Sequence, residues 1–353
     1  MKNKKILLLW YQQDDNFGDI LLYNTTKEHL ETLGYCVEAH EVGDSEIKIA
    51  KHANQCGFMI FAGGGIVEKF VPPVIQNIKQ LLCMLQVPYG VIGLGIGTFD
   101  YRRYAEMFSI WVNQAEFFFV RDTETRDYLN RVSNSIKVIF SGDVVFANRM
   151  FIRVACSGNG TGLNLRDIPY TDIQGDFNWN LLNKAISEAK CNILIPDCNN
   201  QIVHLLGTFD NLTDLENYKV LSPEKKIERV IWTIQKCSVI VAMRFHVVLV
   251  AALYGIIPIP ILYCPKVRYL AEQLGIMELA IELGEWEKIP EKVELAKKNK
   301  DRFLKELRRN IIILRRNVQD MYKSIMDDLE KLSYDVEFQK TIKDEFERDA
   351  NKV

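Results

Sequence analysis

Short apolar runs alternate with amphipathic stretches along most of the chain. Residues 6–10 (Ile-Leu-Leu-Leu-Trp) are uniformly apolar, as in a buried parallel strand. A polar loop to Asp19 follows, then a helical pattern over 20–33 stopped by Gly34, and a second strand over 35–39. The pattern repeats. Residues 58–62 form a strand running into Gly63, Gly64 and Gly65, and 74–85 a helix with Pro72 and Pro73 near its start. Residues 89–94 form a strand entering Gly93, Gly95 and Gly97, with a helix over 101–115. A strand ends at Arg121-Asp122, a helix runs to about Asn130, and a strand over 136–140 leads to Ser141-Gly142-Asp143.

After a connection over 147–160 the alternation restarts. Strands are expected over 161–166, 192–197, 219–222, 239–242 and from 258, the last with a loop carrying Lys266. Helices are expected over 177–189, over 223–235 with Ser222 as cap, from about 245 to Tyr254-Gly255, and over 268–274 closed by Gly275. Strands alternating with helices predict α/β architecture with parallel sheets. Two Rossmann-like domains are expected, over 1–147 and 161–285, facing a central cleft. From Pro290 the pattern changes. Leu304, Leu307, Ile311, Leu314, Val318, Met321 and Ile325 recur three and four apart among mixed charges, predicting an amphipathic helix within an extension over 286–353. Its seam suits packing over the two domains, or a homo-oligomer contact, better than membrane attachment. The charged tail from Asp335 is expected to fray.

The strand ends carry the candidate chemistry, because ligands of open α/β sheets bind outside the carboxyl ends of the strands. Asn16, Gly18 and Asp19 fall on the first such loop. Gly18 permits close backbone approach, and Asp19 either caps the following helix or accepts a proton or a substrate hydroxyl. Gly63, Gly64 and Gly65 make either a tight turn or a row of N–H groups for an anion, and match no dinucleotide or P-loop fingerprint. Gly95, Arg121 and Asp143 lie at later strand ends, Asp143 as a helix cap or part of the cleft floor. In the second half Arg166, Arg244, His246 and Lys266 occupy the same kind of position. Arg244 and His246 flank a strand-to-helix turn, where a helix N-terminus favours anions and a guanidinium forks onto carboxylate or phosphate.

Bulk properties narrow the classes. The formal net charge of −2 over 353 residues gives no reason to expect nucleic acid as a partner. The eight cysteines show no paired CxxC, and several, including Cys83, Cys191 and Cys237, lie in apolar runs, as expected of reduced core thiols. The N-terminal apolar run is too short to span a membrane and lacks a cleavage site, so a cytoplasmic protein is expected. The histidines show no HxxxH or HxH pair; no metal and no cofactor are expected.

Taken in order, Asn16-Phe-Gly-Asp19, Gly63-Gly64-Gly65, Gly93-Leu-Gly-Ile-Gly97, Arg121-Asp122, Asp143-Val-Val-Phe146, Arg244-Phe-His246 and Tyr263-Cys-Pro-Lys266 resemble the polysaccharide pyruvyl transferase family. The resemblance spans most of the chain. Thr125, where the family often has serine, and Val144, where it often has proline, depart from it mildly. It implies a glycosyltransferase-B-like pair of domains, with the acceptor against the first and phosphoenolpyruvate against the second. It further implies transfer of a pyruvyl group from phosphoenolpyruvate onto two sugar hydroxyls of a cell-surface glycan or its lipid-linked precursor, forming a ketal. A lipid-linked acceptor would bring the chain near a membrane surface. Arg244 and His246 are the residues the family regards as important for activity. Arg166, Arg244 and Lys266 would meet the two anionic groups, His246 would transfer a proton or touch phosphate, and Asp19 would orient or deprotonate the acceptor. A nucleotide-sugar-dependent glycosyltransferase of the same architecture is the alternative.

Overall fold

Leucine-rich and β-branched runs with both faces buried form the strands of two parallel sheets. The computed structural model describes residues 4–10, 16–64, 73–96, 104–151, 158–165, 178–196 and 221–350. In the first half, β1 (Lys5–Trp10), β2 (Cys36–Glu41), β3 (Phe58–Gly64), β4 (Tyr89–Leu94), β5 (Phe118–Val120) and β6 (Val138–Phe140) form one sheet in the order β2-β1-β3-β4-β5-β6. Its helices are α1 (Phe17–Thr32), α2 (Glu46–Ala53), α3 (Pro73–Met84), α4 (Ala105–Gln114) and α5 (Thr123–Ser133).

The second half contains β7 (Gly160–Asn164), α6 (Trp179–Glu188), β8 (Ile193–Leu194), α7 (Pro223–Gln235) and β9 (Cys237–Ala242). It continues with α8 (Phe245–Leu253), β10 (Ile257–Leu262), α9 (Pro265–Leu274) and β11 (Ile281–Glu282). Its sheet order, β11-β10-β9-β7-β8, repeats the first read from the other edge. In each half the second strand lies on one side of the first and the third on the other. The chain therefore reverses direction between β1 and β3, and again between β7 and β9. At such a switch point the loops leaving the two central strands part, and a crevice opens. The loops after β1 and β9 carry Asn16 to Asp19 and Arg244 to His246, so the topology itself places these residues at crevices.

One apolar cluster runs through both halves. It joins Leu21 and Leu22 of α1, Val144 and Phe146, Val248 and Leu249 of α8, and Leu270 of α9. The outer faces of the two sheets have separate cores around Trp111 and Trp286. After α10 (Ile289–Lys298), helix α11 (Lys300–Ala350) begins against α9 and β10 and continues over the 3-10 turn Val144–Ala147 of the first half. Leu307, Ile311, Leu314, Val318, Met321 and Ile325 are buried along its seam. Arg315 donates from Nε to the Phe146 carbonyl at 3.1 Å and from Nη2 to the Phe151 carbonyl at 2.9 Å. The Tyr322 ring stacks on His29 of α1 at 4.5 Å, and burial raises the pKa of its hydroxyl. The amphipathic seam is thus covered by the chain's own two halves.

Several expectations change. Asn16, not Asp19, caps α1: its Oδ1 accepts from the Gly18 N–H at 3.0 Å, and its Nδ2 donates to Asp19 Oδ2 at 2.8 Å. Lys266 lies in the first turn of α9, because Pro265 opens a helix where its missing N–H is harmless. Leu221 and Ser222 lead into α7 without forming a strand; Lys219 and Val220 fall outside the described residues. Cys191 and Cys237 are buried, but Cys83 is exposed on α3. Helix α11 continues past Asp335 to Ala350 rather than ending there. No helix among the described residues is long and apolar enough to cross a membrane.

Candidate active site

The two crevices face one another and share one open pocket. The first half contributes Asn16, Phe17, Gly18 and Asp19 from the start of α1, Gly64 from the end of β3, and Arg121. The second contributes Arg244, Phe245, His246 and Val247 from the start of α8, with Tyr263 and Lys266 around the start of α9. The N-termini of α1, α8 and α9 therefore converge on one space, each presenting backbone N–H groups and the positive end of a helix dipole. Among the described residues, Arg121, Arg244 and Lys266 add three cationic side chains to the lining, against one carboxylate, Asp19.

Arg244 is positioned by Asn164 at the end of β7, which is fully buried. The Asn164 Oδ1 accepts from the Arg244 N–H at 3.1 Å, and the Asn164 carbonyl accepts from the Met243 N–H at 3.0 Å. This ties the exits of β7 and β9 together at the switch point. On the other side, Asp122 caps α5 by accepting from the Thr125 N–H at 2.8 Å, leaving Arg121 to leave the sheet toward the pocket. The Thr125 hydroxyl accepts from the Ile96 N–H at 3.1 Å; serine could do the same, so this departure from the family pattern keeps its function.

Arg121 is only 4% exposed, yet its Nε and Nη2 have no hydrogen-bond partner among the described residues. Its guanidinium lies over the Phe245 ring at 4.8 Å, and the nearest carboxylate oxygen, on Asp122, is 4.0 Å away. A buried cation so sparsely partnered is a ready acceptor of an anion. Gly95 makes room for it: a Cβ at Gly95 would collide with the guanidinium.

His246 stands where the halves meet. Its ring lies directly over Gly18, so that a Cβ there would come within 2.7 Å of the ring Cγ and nearer still to Nδ1. Its Nε2 faces the Oδ2 of Asp143 at 3.5 Å, too long for a well-made hydrogen bond, and neither atom has another hydrogen-bond partner among the described residues. Asp143 is 1% exposed. Burial pushes its carboxyl pKa up, but His246, Arg121 and the Val145 N–H, which donates to Oδ1 at 3.0 Å, outweigh it and hold it below the usual carboxylate range. Asp143 is therefore an ionised carboxylate behind the histidine.

Of the residues singled out by sequence, Asn16, Gly18, Asp19, Gly64, Arg121, Arg244, His246 and Lys266 line the pocket. Gly63, Gly95 and Asp143 do not. Gly63 packs against the Gly93 backbone of β4, where any side chain would clash, while Gly95 and Asp143 support Arg121 and His246. Gly65 and Arg166 lie outside the described residues. Sequence reasoning missed Asn164 and gave no role to Phe245 and Tyr263, although both stand within the motifs read from the sequence. Asn164 is the polar residue closing an otherwise apolar strand, a signal that could have been read.

The fold occurs in solved structures of other proteins. A Listeria monocytogenes structure provisionally assigned as a UDP-N-acetylglucosamine 2-epimerase aligns over 93% of this chain and 97% of its own, with a TM-score of 0.59 and 9% identity. The UDP-GlcNAc 2-epimerase of Methanocaldococcus jannaschii aligns over 82% and 92%, with a TM-score of 0.51 and 14% identity. An alpha-glucosyltransferase in complex with UDP aligns over 92% and 99%, with a TM-score of 0.50 and 9% identity. These likenesses concern the fold, a glycosyltransferase-B-like pair of Rossmann-like halves. No curated protein matches the sequence significantly. The sequence profile of the polysaccharide pyruvyl transferase family matches residues 16–265, from the cap of α1 to the first residue of α9 and so across both crevices; the chain belongs to that family.

Proposed function

We propose that the protein moves the pyruvyl group of phosphoenolpyruvate onto two hydroxyls of a glycan or its lipid-linked precursor, releasing phosphate and leaving a pyruvate ketal. The observation that carries this is the convergence of Arg121, Arg244, Lys266 and His246 with two helix N-termini opposite Asp19. Phosphoenolpyruvate carries a carboxylate and a phosphate on adjacent groups, and such a ligand needs clustered donors rather than a single cation. The acceptor is assigned to the first-half side of the pocket, lined by the start of α1 and by Gly64 at the end of β3.

The chemistry is then assigned to residues as follows. A proton is added to the methylene carbon, which becomes a methyl group, and the first sugar hydroxyl bonds to the adjacent carbon as its O–H bond breaks. The C–O bond to phosphate breaks, the phosphate leaving with the bonding pair, and the second hydroxyl bonds to the oxocarbenium carbon and loses its proton. Two protons leave the hydroxyls, one replacing that spent on the methyl group and the other leaving with phosphate. His246 delivers and recovers protons, Asp143 holds its ring, Asp19 receives a hydroxyl proton, and the cations stabilise departing phosphate.

Incubating the protein with phosphoenolpyruvate labelled in the pyruvyl carbons and a glycan acceptor tests this. Label in the glycan with an equal amount of released phosphate is the expected result. Consumption of a nucleotide sugar with no label transferred would establish the glycosyltransferase alternative instead.

A further inference from the structure

A second constellation lies on the outer edge of the first sheet, on the face opposite α1. Glu38 and His40 alternate on one face of edge strand β2, His52 lies near the end of α2, and Cys56 follows it by four residues just before β3. His52 Nε2 is 2.7 Å from Glu38 Oε2, His52 Nδ1 is 3.0 Å from His40 Nδ1, and His40 Nε2 is 2.8 Å from Asp44 Oδ2. The donor atoms of Glu38, His52 and Cys56 lie within 4.8 Å of one another. Cys56 is fully buried, while the Glu38 and His52 side chains are 32% and 28% exposed, so the group opens to solvent on one side.

The hydrogen count along this line makes it more than a surface network. Asp44, His40, His52 and Glu38 make three short contacts in series, and each needs one hydrogen between its two atoms. Two neutral imidazoles carry one N–H each, and the carboxylates carry none. One contact therefore sets two lone pairs face to face unless a positive centre sits there. If each imidazole donates toward Asp44, His52 Nε2 is the bare atom, and it faces Glu38 Oε2 beside the Cys56 thiol. Imidazole nitrogen, carboxylate oxygen and thiolate sulfur are the donor set of zinc. His40 and Asp44 then form the outer hydrogen-bond chain that fixes the tautomer of a ligating histidine. Ligands at ~2.0–2.1 Å from a tetrahedral ion stand about 3.3 Å apart, so Glu38 and His52 need to part by about 0.6 Å. The exposure of both side chains permits this.

We propose that Glu38, His52 and Cys56 bind a zinc ion, with His40 and Asp44 as outer partners and solvent in the fourth position. The ion would pin β2, α2 and the α2–β3 connection together on the edge away from the pocket. Lys5, which pairs with Glu38 Oε1, is the competing cation.

The test uses the full-length protein, stripped with a chelator and titrated with cobalt(II). One equivalent should produce visible ligand-field bands and a thiolate-to-cobalt charge-transfer band, both displaced by one equivalent of zinc. Cys56→Ser should remove the charge-transfer band, and His40→Ala should weaken binding by about 10–100-fold. Lys5→Met should tighten it. Because Cys56 is buried and its replacement could loosen the fold, the part-exposed His52→Gln gives a second reading, with far-UV circular dichroism to confirm folding. A charge-transfer band that survives in Cys56→Ser, or no stoichiometric cobalt binding in the wild type, would overturn the proposal and leave a proton as the bridging charge. None of these readouts involves pyruvyl transfer, so the site stands or falls by itself.

Discussion

Gly18→Ala tests whether the seat of His246 matters, since the two halves touch most closely there. An added Cβ would lie 2.7 Å from the ring Cγ and 2.8 Å from Cε1. Carbon atoms in ordinary contact are ~3.5 Å apart, so ring or helix must retreat by about 0.8 Å or more. Retreat of the ring turns Nε2 away from Asp143 and from the pocket. Gly18 has ordinary negative φ and lies in helix α1, so alanine brings no backbone strain, and overpacking should destabilise by only about 1–3 kcal/mol. A misplacement near 1 Å can lower turnover ~100-fold. The expected result is a kcat/KM for label transfer down by about two orders of magnitude, measured well below a melting temperature that falls by only a few degrees. A folded Gly18→Ala protein retaining at least a third of wild-type kcat/KM would refute the placement of His246 as the proton-transfer group.

Asp143→Asn keeps the shape but removes the buried charge facing His246, and should destabilise at neutral pH on the order of 3 kcal/mol. The folded-state pKa of Asp143 is depressed, so its contribution is complete above the unfolded value of ~3.9 and is lost as pH falls through the lower folded value. Urea midpoints of wild type and variant should therefore converge in strong acid, separate as pH rises toward about 4, and keep that full separation above it; profiles parallel over the whole range would show that the pair contributes nothing. Leu314→Ala, on the buried seam of α11 beside Gly142, should lower stability by about 2–5 kcal/mol in denaturant titrations. A smaller loss would mean that α11 rests only loosely on the first half.

The positions of Arg244 and His246 were legible because a β-branched strand, a polar turn and a run of small apolar residues follow in immediate succession. Only local sequence was needed. The cap of α1 was misread because Asn16 and Asp19 both have the chemistry, and the choice depends on where the backbone turns into the helix. Lys266 was assigned to a loop because Cys264-Pro265 reads equally as turn or helix start. The facing of His246 and Asp143 was beyond reach, since it arises only when two halves far apart in sequence meet. Likewise the seam of α11 announced an apolar partner without identifying it. Glu38, His52 and Cys56 escaped a search for histidine pairs because their donors come from a strand, a helix and a connection.

Helix α11 has a consequence for how the protein is made. The 3-10 turn over Val144–Ala147, next to Asp143, packs on one side against α1, but its contact with α11 and the Arg315 hydrogen bond to the Phe146 carbonyl come only from chain far beyond it. At ribosomal rates of ~5–20 residues per second, Phe146 waits on the order of 10–30 s for Arg315 to follow it. During that interval the first half carries an uncovered apolar surface beside the wall of its future pocket. Nascent chains released before α11 should be chaperone clients, and a sheet assembled early acquires its finished active site late.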